Sequence, residues 1–260
     1  MMNNKSPLRY PGGKTRACKY LDNIFNKYFN VLNTKTIVSP FFGGGSFEFY
    51  LQNKYNFFIE ANDKFPPLYY FWNQVKKNKI ELCEKIEELI DVTKELFYKY
   101  RTLIMNENSF LQAVYYFIIN RCSFSGATLS GGFSKEASTK RFTQSSIDRV
   151  RKLNLDNIHF YNLDYVDFLS KMKDINMVIF LDPPYYLKKK SKLYGNNGDL
   201  HNTFNHEKLY TLLSNRNNWF MTYNNCEYIK KLYKNFKIIE TSWSYGMNKT
   251  KKSSEIVIIG

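Results

Sequence analysis

Histidine is nearly absent from this chain and cysteine is sparse. His159, His201 and His206 stand apart, and Cys18, Cys83, Cys122 and Cys226 show no C-x-x-C spacing. Spacing of that kind writes neither a zinc knuckle nor a disulfide framework, so reduced thiols and no metal are predicted. Also missing is any run approaching the roughly 18 apolar residues of a membrane span. The opening MMNNKSPLRYPGG has no apolar segment of the kind that directs secretion, so a cytoplasmic protein of a bacterium or a virus is expected. Acid is in short supply as well: 23 Asp and Glu stand against 38 Lys and Arg, a formal charge of +15. Such a field suits a polyanion. Charge alone leaves nucleic acid and an anionic membrane surface both open, and a general bias toward Lys and Asn would produce the same surplus.

What is present is enough for a globular core: 260 residues, 43% of them hydrophobic and 18% aromatic. After a Gly-Gly turn, Ala17, Leu21, Ile24, Phe25 and Tyr28 fall at helical spacing, which predicts a helix over about 14 to 29. TKTIV reads as a strand, PFFGGGSFEFYLQN as a glycine loop opening a second helix, and YNFFIE as the next strand. Between about 65 and 120 the pattern changes to long helical segments with no comparable strand, suiting an inserted α-helical region. Residues 122–143, rich in Gly, Ser and Thr, read as a long loop or ragged hairpin. Strand and helix patterns then alternate through IHFYNLD, MVIFLD, WFMTYNN, FKIIETSW and SEIVIIG. Alternation of this kind predicts an α/β fold with a largely parallel, Rossmann-like sheet.

In open α/β sheets ligands lie beyond the carboxyl ends of the strands. Gly43, Gly44 and Gly45 follow the first predicted strand, and Asp63 closes the next one 20 residues after Gly43, a suitable distance for an acid that takes ribose hydroxyls. Glu60 competes for that role. The run does not match G-x-G-x-x-G, and bulky Phe41 and Phe42 flank its glycines, which suits an uncharged or cationic ligand better than phosphates. A tight turn with no ligand accounts for three glycines equally well.

LDPPYY ends the apolar run MVIFL. Asp182 therefore faces the same crevice, Pro183 and Pro184 stiffen the loop and leave neighbouring carbonyls free to accept, and Tyr185 and Tyr186 offer aromatic faces. Acceptors beside an aromatic plate fit an exocyclic amino group on a flat base. Such an amine is a poor nucleophile because its lone pair is delocalised, and two acceptors on its hydrogens favour a pyramidal nitrogen. A Pro-Pro turn with a structural Asp is the plainer alternative.

Together, DPPYY, PFFGGGSF and the opening PLRYPGGK resemble the Dam-like, alpha-group (D12 class) DNA adenine N6-methyltransferases, over nearly the whole chain and in that group's motif order. The resemblance implies a Rossmann-like methyltransferase domain from 1–65 and 146–260, a helical target-recognition insertion at 66–145, and S-adenosylmethionine as methyl donor. It implies that Tyr10 and Lys14 close over the donor's methionine end, that Phe41, Gly43 and Gly45 lie beneath it, that Asp63 takes the ribose, and that Asp164 and Tyr165 hold the adenine. It also implies that Asp182, Pro183, Pro184 and Tyr185 form the catalytic loop. Ser39 departs from the pattern, because the family often has an acid there. Tyr165 departs mildly, Phe being common.

The substrate implied is adenine N6 in double-stranded DNA, flipped out of the helix. The initial Asp of the motif leans toward adenine, related cytosine N4 enzymes commonly having Ser. RNA adenine, and a relative that binds DNA without catalysis, are the other possibilities. Phosphate contacts are expected from Arg121, Lys140, Arg141, Lys188, Lys189 and Lys190, any one of which has a solvated face as its plainer role. Arg9 is a candidate contact to bases, and Phe124 or Phe133 a candidate wedge, with core packing expected for at least one of the two. Action as a monomer is expected, with a cognate restriction endonuclease left open.

Overall fold

The computed structural model describes residues 3–173, 176–187, 203–244 and 252–260, with the side chains of 242–244 and 252–254 excepted. Short apolar runs build the centre. Strands β1 (Thr36–Ser39), β2 (Phe58–Asn62), β3 (Ile158–Tyr161), β4 (Met177–Leu181) and β5 (Trp219–Asn224) run parallel, and β7 (Lys252–Ile259) inserts antiparallel between β5 and β6 (Lys237–Ser244). The resulting order is β3-β2-β1-β4-β5-β7-β6. Strand order reverses between β1 and β4, and in such sheets that point opens a crevice at the carboxyl ends.

Because successive side chains in a strand alternate faces, the two sides of the sheet carry separate cores. Ile37, Ile59, Val178 and Phe180 face one layer, while Val38, Ile179 and Leu181 face the other. On the first side lie α1 (Cys18–Tyr28) and α2 (Ser46–Tyr55), and on the second α9 (Tyr165–Lys171), α10 (His206–Ser214) and α11 (Glu227–Leu232).

The helical stretch comprises α3 (Pro66–Lys77), α4 (Lys79–Glu88), α5 (Lys94–Leu103) and α6 (Ser109–Cys122), followed by α7 (Lys135–Lys140) and α8 (Gln144–Arg151). Each start has a local cause. Pro66 and Pro67 preset the first turn of α3 behind an extended Phe65. Thr93, Asn108 and Ser134 accept from the amides of Leu96, Leu111 and Ala137 at 3.2, 3.0 and 3.2 Å, capping α5, α6 and α7. Helix α6 is buried nearly all round, so it acts as the axis of this region. The same core continues without a break from Phe25 and Phe47 through Trp72 to Phe117 and Ile147, and Trp72 stacks on Phe160 of β3 with ring centroids 6.1 Å apart. The helices following β2 therefore rest on the sheet as part of one core.

Residues 122–143 are more ordered than a loop. Ser123 and Phe133 form an antiparallel bridge, two 3-10 turns span 124–130, and α7 follows. The sequence shows no helix there because Lys, Glu and Ser give α7 little apolar periodicity; its Ser134 cap starts it and Ala137 anchors it.

The glycine loop before α2 is a packing requirement. Gly45 has φ +65°, and a Cβ there would lie 2.3 Å from the Phe42 ring, which is itself wedged among Phe49, Trp72 and Phe160. Left-handed backbone and overpacking act together at this position, so Gly45→Ala should cost about 2–4 kcal/mol in urea unfolding. An unchanged midpoint and slope would show that the loop can yield.

Candidate active site

Four strand ends converge on one cavity of ≈ 330 Å³, lined by Pro40–Ser46 after β1, Asn62–Lys64 after β2, Asp164 and Tyr165 after β3, and Asp182 and Pro184 after β4. Tyr10, Lys14, Glu48, Phe204 and Lys208 are also among its walls. The triple-glycine bend and the acidic proline loop thus open onto shared space.

Asp182 leaves the end of β4 beside two donors. The Lys14 ammonium donates to its Oδ2 at 2.8 Å and the Thr222 hydroxyl, from β5, to its Oδ1 at 2.7 Å. Lys14 is 3% exposed; its ammonium also donates to the Gly12 carbonyl at 2.9 Å, stands 4.0 Å from Glu255 of β7 and lies 5.2 Å above the Tyr185 ring. Tyr185 stacks on Tyr223 at 5.7 Å, and the Asn224 amide donates to the Tyr186 carbonyl at 2.8 Å. The Asp-Pro-Pro-Tyr segment is therefore clamped at both ends.

The glycine loop meets the N-terminal segment directly. A Cβ at Gly43, where φ is +50°, would come within 2.8 Å of the Tyr10 ring, so Tyr10 lies over the bend as a lid on its backbone. Beneath it, Asp63 accepts from the amides of Gly43 and Phe65, both at 3.0 Å. Burial pushes the Asp63 carboxyl up to about 6, while those two amides pull the other way.

At the far end of the cavity Asp164 caps α9, accepting from the Val166 amide at 3.1 Å and from Lys64 at 2.9 Å. Partial burial opposes its ionisation, but Lys64, that amide and Lys208 together hold it below the usual carboxylate range. Tyr165, Phe41 and Phe204 pack into a three-ring corner, with centroids 5.4–5.5 Å apart. Its faces suit a flat heterocycle.

Sequence reasoning missed several contributors. Asn62 is buried and ties three loops together, donating to Pro40 and Leu163 carbonyls at 3.1 Å each and accepting from the Leu163 amide at 2.9 Å. Glu255 was visible as an acid interrupting the apolar SEIVIIG, and Glu48 as an acid between phenylalanines in SFEFY. Thr222 and Phe204 carried no such signal. Ser39 donates to Glu48 at 2.6 Å, so a carboxylate does occupy this corner, supplied from α2. Glu60 instead pairs with His159 at 2.9 Å and does not line the cavity.

A family model described as D12 class N6 adenine-specific DNA methyltransferase matches residues 10–247. The chain belongs to this family. It is also 28% identical over 265 residues, 91% of this chain and 90% of the other, to a protein of Methanocaldococcus jannaschii named Type II methyltransferase M.MjaIII. The seven-stranded, mostly parallel sheet is the methyltransferase fold of a D12-class protein, and DNA adenine is what the family methylates.

The residues expected to meet DNA fall in different settings. Phe124 is 70% exposed on the turn after α6, whereas Phe133 packs toward Phe97 at 5.6 Å. Lys140 and Arg141 are exposed, with Lys140 within 3.4 Å of Glu136. Arg121 is displaced from the surface expected for a phosphate contact. It is 6% exposed and donates to the carbonyls of Arg141 and Pro7, at 2.8 Å and 3.1 Å, because the last turn of α6 is covered by both segments. Arg9 donates to the Ser123 carbonyl at 2.9 Å, pinning the N-terminal segment to the same corner. Lys188, Lys189 and Lys190 lie outside the described residues. Among the described residues no helix is long and apolar enough to cross a membrane, and no group of three or more His, Cys, Asp or Glu is placed to hold a metal ion.

Asp63 also makes stability depend on pH. Its folded-state value, about 6, exceeds the ordinary 3.8, so the folded protein binds more protons than the unfolded chain between those values. Stability must then fall as pH rises through that window. Asp63→Asn should make the fall shallower in urea titrations from about pH 4 to pH 7; parallel curves for the two proteins would contradict the assignment.

Proposed function

We propose that this DNA adenine methyltransferase takes its methyl group from S-adenosylmethionine and delivers it to N6 of an adenine flipped out of double-stranded DNA. The observation that carries this is the convergence of the glycine loop and Asp182 on one cavity. Its lining fits the donor on its own chemistry. Cations in it, among the described residues, are Lys14, Lys64 and Lys208, of which Lys14 and Lys64 are paired with Asp182 and Asp164. That is a poor phosphate site and a good one for a nucleoside bearing a positive sulfonium.

Asp63 would take the ribose hydroxyls, and Phe41, Tyr165 and Asp164 the adenine ring and its polar edge. Gly43 and Gly45 would let backbone approach the amino-acid end, under Tyr10. When bound, S-adenosylmethionine supplies an electrophilic methyl whose departure leaves a neutral thioether. Asp182 and a main-chain carbonyl beside Pro183 accept from the two hydrogens of the target amine, so that the nitrogen lone pair turns toward the incoming carbon. Pro184 holds the loop's shape, and Tyr185 offers a stacking face. Lys14 pairs with Asp182 and orients it, a role we assign to it ahead of binding the donor's carboxylate. Transfer is direct and needs no covalent enzyme intermediate.

For the DNA we propose a surface around 123–143, with Lys140 and Arg141 toward phosphates, Phe124 as the wedge into the vacated stack and Arg9 near the bases. Lys188, Lys189 and Lys190 are proposed as phosphate contacts from sequence alone. Residues 66–145 serve as the target-recognition region of a domain made of 1–65 and 146–260. The Type II name of the relative supports a role beside a cognate restriction endonuclease; action inside the cell and as a monomer is part of the same proposal.

Asp182→Asn keeps the side chain's size and the Thr222 contact but weakens the acceptor. It should lower N6-methyladenine formation roughly 100-fold or more, while donor affinity changes only a few-fold. Nucleoside mass spectrometry of digested DNA measures the first and calorimetry the second. An enzyme as active as wild type would remove Asp182 from the mechanism, and N4-methylcytosine as product would redirect the substrate.

A further inference from the structure

Glu48 has no part in the mechanism above, yet it lines the same cavity. Its side chain is 3% exposed, at the third position of α2, where the glycine loop ends. Ser39 donates to its Oε1 at 2.6 Å. A buried carboxylate is costly without a compensating positive charge. The first turn of α2, through Glu48's own amide, and the Ser39 hydroxyl both favour the carboxylate, but neither supplies a countercharge.

The neighbourhood sharpens the point. Asp182 on the β4 loop adds a second negative charge beside Glu48, and Lys14 on the N-terminal segment, the cation close to both, is committed to Asp182 and Gly12 and stands 4.0 Å from Glu255. Cys18 of α1, a neutral thiol, faces the same carboxylate and is itself pushed up to about 12 by burial and then by Glu48. Burial pushes the Glu48 carboxyl up to about 7, opposed by the Ser39 hydrogen bond. Among the described residues, this end of the cavity therefore carries more carboxylate than cation.

A nucleoside joined to an amino acid brings two cationic groups, the sulfonium and the α-ammonium. With the nucleoside half at Asp63 and the Phe41–Tyr165 corner, and the methyl carbon aimed at Asp182, the amino-acid half extends over the glycine loop toward α2. We infer that Glu48 is the binding residue for the α-ammonium of the methyl donor, accepting from it in the corner that Ser39 and Glu48 share. This rests on the donor assignment proposed above. It places the acid for that group on the helix that follows the loop, one hydrogen bond from Ser39.

The test uses the full-length protein and three sulfur nucleosides in calorimetry: S-adenosylhomocysteine, its analogue lacking the α-amino group, and 5′-methylthioadenosine, which lacks the whole amino-acid chain. Glu48→Gln should weaken S-adenosylhomocysteine about tenfold or more, the scale of a charge-assisted hydrogen bond, and leave the other two within about twofold. Wild-type protein should already prefer S-adenosylhomocysteine to the desamino analogue by a similar factor, a comparison that needs no variant. Equal affinity of wild type for those two ligands, or equal weakening of all three by Glu48→Gln, would overturn the inference. Wild-type protein that binds none of the three would instead overturn the donor assignment and take this inference with it.

Discussion

A buried ammonium governs this site. Lys14 sits almost out of water between Asp182 and the Gly12 carbonyl, with Glu255 4.0 Å away. An unpaired charge in such a place would cost several kcal/mol. Lys14 cannot be buried there until the N-terminal segment, the β4 loop and the antiparallel β7 are all in place. The geometry of the acceptor is thus conditional on distant parts of the chain meeting correctly. Thr222 adds direction to this charge balance: its hydroxyl holds the other carboxylate oxygen, and each oxygen retains a second acceptor position for an incoming amine.

The sheet does the rest of the positioning with neutral groups. Asn62 sits where loops from three neighbouring strands must turn away from one another, and its amide joins the first and third of them. The Phe42 amide donates to the Asn62 carbonyl at 2.9 Å, and the Trp72 indole to the Gly43 carbonyl at 2.9 Å. The ring of Phe42 occupies the space that Gly45 leaves open, and Tyr10 covers Gly43 from the other side. What looks like a flexible glycine tract is held between two aromatic rings, so it can present backbone to a ligand without having to be ordered by that ligand.

Much of this was legible in the sequence because the elements carry strong local signals. Short apolar and β-branched runs marked the parallel strands, and Asp63 and Asp182 were placed by the rule that strand ends face the crevice. The limits of legibility have particular causes. Glu48 is seen as one of several acids until α2 turns it toward Ser39. Thr222 is an ordinary strand threonine until β5 pairs with β4 and brings it beside Asp182. Arg121 has the composition of a DNA contact and the burial of a core residue, because whether a cation at a helix end faces outward depends on what later folds over it. Contacts between residues more than a hundred positions apart, such as Asn120 with Arg9, leave no local mark.

Two opposite electrostatic demands have to coexist in one molecule of this kind. A duplex asks for positive charge, and the chain's formal +15 supplies it. The sulfonium donor proposed above asks for the reverse, and the cavity is lined by Glu48, Asp63, Asp164 and Asp182 with its lysines largely matched to carboxylates. The strand-end crevice resolves the conflict by depth. Screening in water confines the surface cations' influence to about a Debye length, whereas the buried charges of Lys14 and Glu48 interact through a poorly polarisable interior. On the proposed reading, the excess that draws in the polyanion is thus kept from repelling the sulfonium, with Asp182 at the rim between the two zones.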